Sequence, residues 1–393
     1  MVFNLPERSP LSPADTTVPL LRTPLYALHQ ELGARLVPFA GYELPVQYPA
    51  GLMAEHQHTR EAASLFDVSH MGQFFISGEG TSLALESLMP VDVLDLPVGK
   101  QRYGLLLTEG GGIIDDLMFL RMAAPGAGDK VFMVVNGACK HDDLAHLQAR
   151  IGAKCLIEPQ PERALLALQG PQAAAALARL APAVTQLLFM EGGPFQLGGV
   201  PCIVTRSGYT GEDGFEISVA AHQAEALARQ LLAQPEVRPA GLGARNSLRL
   251  EAGLCLYGND MNTSTTPAEA SLAWAIQKVR RTGGARAAGF PGAERILAQL
   301  AQPDSRPCQR VGLVALERVP VREHTELQDL HGQRVGEVSS GLLSPTLDRP
   351  IAMAYLPPTL TAVGTRVQAL VRGKTVPMEV VALPFVPPRY HRG

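Results

Sequence analysis

A chain of 393 residues exceeds one ordinary domain, so two or three domains are expected. Its 46% hydrophobic and 18% charged residues describe a soluble globular protein, and a net charge of -3 without a basic stripe excludes a nucleic-acid surface, which needs clustered Lys and Arg. Its longest apolar runs fall short of the ~20 residues that span a membrane, and five dispersed cysteines (Cys139, Cys155, Cys202, Cys255, Cys308) read as reduced thiols, with no spacing suited to zinc or disulfides.

Residues 1–22 are rich in Pro and Ser, with no apolar signal core and no Arg-rich, acid-poor character. They are expected to be a loose leader, and the expected compartment is the cytoplasm. A helix is predicted over 52–63, a strand over 72–78, and a short helix in GTSLALESLM. QRYGLLLT and IIDDLMFLRM flank the glycine turn Gly110–Gly112 as a hairpin. KVFMVVN is a strand, followed by a helix from about Lys140 to Arg150. RALLALQG then PQAAAALARLAP reads strand, turn, helix, with Pro171 suited to the first helical turn. PCIVTRSGYTGEDGFEISVA is two strands around a glycine-punctuated loop, AEALARQLLAQ an amphipathic helix, and GLGARNSLRLEAGLCL a helix after a glycine-rich entry. From about Arg310 the pattern turns to short strands spaced by turns, a separate all-β domain.

Four stretches carry candidate chemistry. In IIDD, two carboxylates occupy an apolar strand, where Asp is disfavoured. Side chains alternate faces along a strand, so Asp115 groups with Ile113 and Leu117, and Asp116 with Ile114 and Met118. They share a pocket only if the strand bulges, and each has either a functional role or a cap or ion pair. SGYTGEDGFEIS places Tyr209, Glu212, Asp213 and Glu216 among three glycines, fit for a polar heterocycle or for an acidic hairpin tip. Arg245 and Arg249 lie one helical turn apart, suited to an anion or to a salt bridge with Glu251 or another carboxylate. His56 and His58, two apart on a helix, do not face each other and make a poor metal pair; His70 reads as a surface or packing residue. No P-loop, dinucleotide fingerprint or nucleophile elbow is present.

Together, LFDVSHMGQF, GGGIIDDLMFL, VVNGACKHDDLAHL, TRSGYTGEDGFEIS, PAGLGARNSLRLEAGLCLYGNDMN, GEVSSGLLSPTLDRPIAMAYL and PFVPPRYHRG resemble the T-protein, the aminomethyltransferase of the glycine cleavage system, from about Thr23 to the C-terminus. The resemblance implies an α+β, multi-domain folate-binding fold. Its antiparallel-rich core, 23–300, is two intertwined domains, one ferredoxin-like, and a β-barrel or jelly-roll-like domain follows at 308–393. It implies tetrahydrofolate as co-substrate, with no metal and no nucleotide. The implied partner is lipoylated H-protein, with neither nucleic acid nor membrane. The implied products are methylene-tetrahydrofolate, ammonia and the reduced lipoyl arm.

By the same resemblance Asp116 faces the folate and acts in catalysis, whereas Asp115 points away and is structural. Tyr103, Asn136, Tyr209, Glu216, Arg245 and Tyr390 bind folate. The sequence departs from the family pattern at Tyr42, where Trp is common, at Asn246, where Asp is common, and at Ala293, where a basic residue is usual. Among relatives of the same fold, the sarcosine-type dehydrogenases require a preceding flavin domain, and none is expected here. An iron–sulfur assembly group carries a Cys in a KGCYTGQE-like segment, where this chain has SGYTGEDG. A demethylase acting on a sulfonium substrate is the competing reading.

Overall fold

The structure, a computed structural model, describes residues 19–124 and 128–393. Most of the expected leader lies outside the described residues. Its last two residues, Leu21–Arg22, form a short strand parallel to Tyr42–Gln47, whose other edge pairs with Arg35–Phe39.

Two larger sheets form the core. A five-stranded antiparallel sheet runs in the order Gln101–Leu107, Ile113–Met122, Asp129–Val135, Gly72–Gly78, Leu156–Pro159. A six-stranded sheet runs Gly192–Leu197, Val200–Thr205, Gly214–Ala220, Arg163–Gln169, Ala63–Asp67, Val237–Pro239, with only the last pair parallel. The chain enters the second sheet at Ala63–Asp67, leaves it to build the first, and returns at Arg163–Gln169. These crossings explain why the sequence shows no inner boundary: consecutive strands of one sheet are separated by almost 100 residues of the other.

Each sheet buries an outer face under helices. Phe215, Ile217 and Val219 pack with Leu227 and Leu231 of the Ala221–Leu232 helix. Leu117, Phe119, Val131 and Met133 pack with Leu147 and Ile151 of the Lys140–Ile151 helix. The inner faces meet through Phe66, Leu165, Ala167 and Ile203 on one side and Leu120, Phe132 and Val134 on the other. Burial of these faces at about 25 cal/mol per Å² dominates the core's stability. At the C-terminal end, Gln309–Ala315, Arg349–Leu356, Arg334–Ser344, Glu326–Gln328, Arg366–Val371 and Lys374–Val381 close into a barrel. Closure leaves no unpaired edge.

Two helices are shorter than their patterns predict. GTSLALESLM is helical only over Thr81–Glu86. Pro90 cannot donate to the Glu86 carbonyl, which instead accepts from Arg280 Nη2 at 3.1 Å. PQAAAALARLAP is helical over Ala173–Ala178, and Pro171 precedes the N-cap Gln172 rather than entering the first turn.

Candidate active site

The Ile113–Met122 strand alternates as its period requires: Ile113, Asp115 and Leu117 are buried, whereas Ile114, Asp116 and Met118 are half-buried. The strand does bulge, because Leu107 pairs with Ile113 and Leu106 with Asp115, leaving Ile114 as the extra residue. The bulge precedes both carboxylates, so Asp115 and Asp116 keep opposite faces. Asp116 shares the inner face of Leu120, and Asp115 lies with the outer face of Leu117 and Phe119. The turn before them needs glycine. Gly111 has φ +83°, and a Cβ on Gly112 would lie 1.7 Å from the Thr263 carbonyl oxygen.

Tyr103 on the neighbouring strand donates its hydroxyl to Asp116 Oδ2 at 3.0 Å. Asn136 follows the strand on the other side. Its Nδ2 donates to Asp116 Oδ1 and to Asp115 Oδ1, both at 2.8 Å, and its backbone N–H donates to Asp115 Oδ2 at 3.1 Å. Burial, then the neighbouring charge of Asp115, pushes the Asp116 carboxyl up to about 7, against the opposing pull of Tyr103 and Asn136. The Tyr103 ring lies on Trp274, centroids 5.0 Å apart, and Trp274 is 58% exposed.

Glu216 reaches the same interior from the six-stranded sheet. It pairs across with Thr205 and Ala167, on the face opposite Phe215 and Ile217. Ser207 Oγ donates to its Oε2 at 3.0 Å. Arg245 lies 4.6 Å over the Tyr209 ring, and its Nη1 is buried with no hydrogen-bond partner among the described residues. Burial lowers its pKa, while Glu216 and Tyr209 pull the other way. Tyr209 donates its hydroxyl to the Cys255 carbonyl. Burial raises its pKa, and the charges of Arg249 and Asp116 also act on it, which places the Arg245–Tyr209–Glu216 group beside the Asp116 group.

Six of the seven expected site residues thus fall in two adjacent groups around one interior. Tyr390 does not join them. It stacks on Phe189 at 4.1 Å with 9° between planes, in the C-terminal tail. That tail is fastened by Arg389, which donates to both oxygens of Glu212 at 2.7 Å.

Other candidates have structural partners. Glu212 also accepts from Arg60, and Asp213 pairs with Arg206 at 2.6 Å. Arg249 pairs with Asp260 at 2.7 Å rather than with Glu251, which is held by Arg60 and His56. Asn246, where Asp is common in the family pattern, accepts from Arg249 Nε at 2.9 Å. Tyr42 accepts from Lys140 Nζ at 2.7 Å. His56 bonds Ser247 and Thr346 while His58 bonds the Glu236 carbonyl, so the two turn apart. His70 is a buried residue, held neutral with its pKa lowered to about 4 by burial and by Arg245.

Sequence reasoning missed Trp274, Ser207 and Asp143. Ser207 sits within the very loop already singled out, and Asp143 within KHDD, where two acids at a helix start look like ordinary complements to the helix dipole. Nothing near Trp274 in sequence marks it, since its partner Tyr103 is remote.

Two family models match in order: the GCVT N-terminal domain over residues 25–280 and the glycine cleavage T-protein C-terminal barrel domain over residues 309–387. The mitochondrial aminomethyltransferase of Dictyostelium discoideum is 43% identical over 390 residues, covering 95% of this chain and 94% of the relative. That of Solanum tuberosum is 43% identical, covering 95% and 91%. The crystal structure of the glycine cleavage system aminomethyltransferase T from Bartonella henselae superposes with a TM-score of 0.88 at 43% identity, covering 95% of this chain and 100% of that one. The expected cytoplasmic location is corrected by the curated relatives, which are mitochondrial enzymes. It rested only on the character of the first residues, which does not report the compartment. With both models matched in order and this identity along nearly its whole length, the chain belongs to the glycine cleavage T-protein family of aminomethyltransferases.

Proposed function

We propose that this aminomethyltransferase takes the one-carbon unit from aminomethyl-dihydrolipoyl H-protein to tetrahydrofolate, giving 5,10-methylene-tetrahydrofolate, ammonia and dihydrolipoyl H-protein, with Asp116 as its catalytic residue. The observation that carries the reading is the Asp116 carboxyl, half-buried, gripped by Tyr103 and Asn136 and raised to about 7, so that it exchanges a proton near neutral pH.

The polar groups present suit a pterin. A pterin offers adjacent N–H donors and a carbonyl oxygen. Glu216 has acceptor capacity beyond its bond from Ser207, and the unpartnered Nη1 of Arg245 supplies a buried donor. Tyr209, with Arg245 over its ring, gives a flat wall for the heterocycle. Tetrahydrofolate supplies the nucleophilic nitrogens that receive the carbon. Asp116 accepts a proton from the attacking nitrogen, Tyr103 and Asn136 hold its two oxygens in place, and Trp274 marks the solvent side where a lipoyl arm enters.

The test is ammonia release from lipoylated H-protein preloaded with the aminomethyl group, with and without tetrahydrofolate. Release strongly dependent on folate is expected. Methyl transfer from a small sulfonium donor, with no turnover of the carrier, would replace this reading with the demethylase one.

A further inference from the structure

Behind Asp116 lies a third carboxyl. Asp143, in the first turn of the Lys140–Ile151 helix, is wholly buried, and neither of its oxygens receives a hydrogen bond from an N–H or O–H group among the described residues. Other buried carboxylates have donors: Glu251 meets Arg60, Asp260 meets Arg249, and Glu55 accepts the backbone N–H groups of Tyr48 and Gly241. Asp143 instead faces Asp115, itself fully buried, carboxyl to carboxyl within reach of a hydrogen bond. Two carboxylates have acceptors only, so this contact requires a proton. An isolated buried carboxylate is far costlier than a neutral acid.

The contact has a direct path to the reacting group. Asp115 Oδ1 and Asp116 Oδ1 each take a hydrogen bond from the single Asn136 amide nitrogen, and Asp115 Oδ2 takes the Asn136 backbone N–H. Asp115 therefore sets where the Asn136 amide points, and the amide sets where Asp116 points. We propose that Asp143 is a positioning residue for catalysis: it carries a proton, donates it in a hydrogen bond to Asp115, and through Asn136 fixes the Asp116 carboxylate. This rests on the role assigned above to Asp116.

The groups facing the pair are few. Cys139, one turn before Asp143, faces Asp115, and Asp142 adds a further negative charge from the same helix. Asp116 and Asn136 face it from the sheet, and Tyr257 lies alongside, donating its hydroxyl to the Ile113 carbonyl. Tyr103, Tyr209 and Cys255 surround Asp116. Among the described residues no Lys, Arg or His forms an ion pair with any of the three carboxyls, so only a proton offsets their charge. Burial and the Asp115 charge both drive Asp143 upward, in the direction of holding that proton through neutral pH.

Two substitutions separate positioning from packing. Asp143→Asn cannot ionise but keeps an N–H for Asp115. Asp143→Leu keeps similar bulk and removes the donor. Without a donor, Asp115 must take up the proton itself, loses an acceptor for Asn136, and no longer presses its charge on Asp116. The expected result for Asp143→Leu is a fall in kcat of about tenfold or more with the folate KM little changed. The acid limb of the kcat profile should move to lower pH. Asp143→Asn should rescue most of that rate and restore the limb.

A second readout does not depend on turnover or on the Leu variant folding. Infrared spectra at pH 8 should show a protonated-carboxyl C=O band in the wild type that is missing in Asp143→Asn. The proposal is overturned if the wild type lacks the band, if the band survives in Asp143→Asn, or if Asp143→Leu keeps the wild-type rate and profile. Failure of the Asp116 assignment is distinguishable, since Asp116→Asn would then turn over normally whatever the infrared band shows.

Discussion

Removing the Tyr103 hydroxyl should move the pH dependence of catalysis upward. Tyr103 Oη donates to Asp116 Oδ2 at 3.0 Å, a bond made to the charged form of the carboxyl, and it is foremost among the contacts that hold its pKa down. Hydrogen bonds to charged groups are worth about 1.5–3 kcal/mol. Asp116 is half-buried, so the lower end applies, and about 1.5 kcal/mol corresponds to roughly one pKa unit. Tyr103→Phe keeps the ring that packs on Trp274, so the fold and the aromatic wall should survive. The acid limb of kcat, set in the wild type by a carboxyl near 7, should rise by about one unit. The rate at pH 6 should fall about tenfold and recover above pH 8. The assay is the pH profile of folate-dependent ammonia release at saturating carrier. A limb that stays in place, or moves to lower pH, would refute the argument that Tyr103 stabilises an ionised, working Asp116.

Glu216→Gln turns one acceptor oxygen into a donor facing donors, and folate affinity measured calorimetrically should fall by about 1–3 kcal/mol; unchanged affinity would remove Glu216 from the pterin site. Glu251 has its carboxyl held down to about 2 by His56, Ser344 and Thr346 in spite of burial. Its folded pKa is therefore below its unfolded value, so its stabilisation is present above about pH 4.5 and is lost as pH falls toward 2. About 2.5 units at 1.36 kcal/mol each gives roughly 3 kcal/mol. Glu251→Gln should accordingly lower the denaturation midpoint at pH 7 and flatten the acid side of the stability curve, and a curve parallel to the wild type would contradict the assignment.

Much of the architecture is legible in local pattern because the strands are regular. IIDDLMFLRM obeys its period of two so closely that the opposite facing of Asp115 and Asp116 follows before any partner strand is known. What local pattern cannot carry is register and pairing. The bulge at Ile114 depends on how Leu106 and Leu107 meet the strand across the turn. The strand Ala63–Asp67 has too few residues to announce itself, and it owes its state to Arg163–Gln169, almost 100 residues away. The site divides the same way. Tyr103 and Asp116 lie on two successive strands and Asn136 directly follows the third, so a local hairpin reading brings them together. Asp143 looked like one of two helix-start acids, and only the packing of its helix on the five-stranded sheet selects it over Asp142 for burial. Arg245 and Arg249, equivalent by spacing, part company for the same reason: Asp260 and the barrel's Ser340 take Arg249 and leave Arg245 to the interior.

The central claim is that Asp116 performs the chemistry while others bind the folate. Single-turnover transfer from preloaded, lipoylated H-protein to tetrahydrofolate, run beside calorimetric folate binding on Asp116→Asn, tests it most directly. The amide keeps the shape and part of the hydrogen bonding, so folate should bind at near wild-type strength while the one-carbon unit transfers about 10²–10⁴-fold more slowly. Transfer at the wild-type rate, or a loss confined to folate affinity, would contradict it.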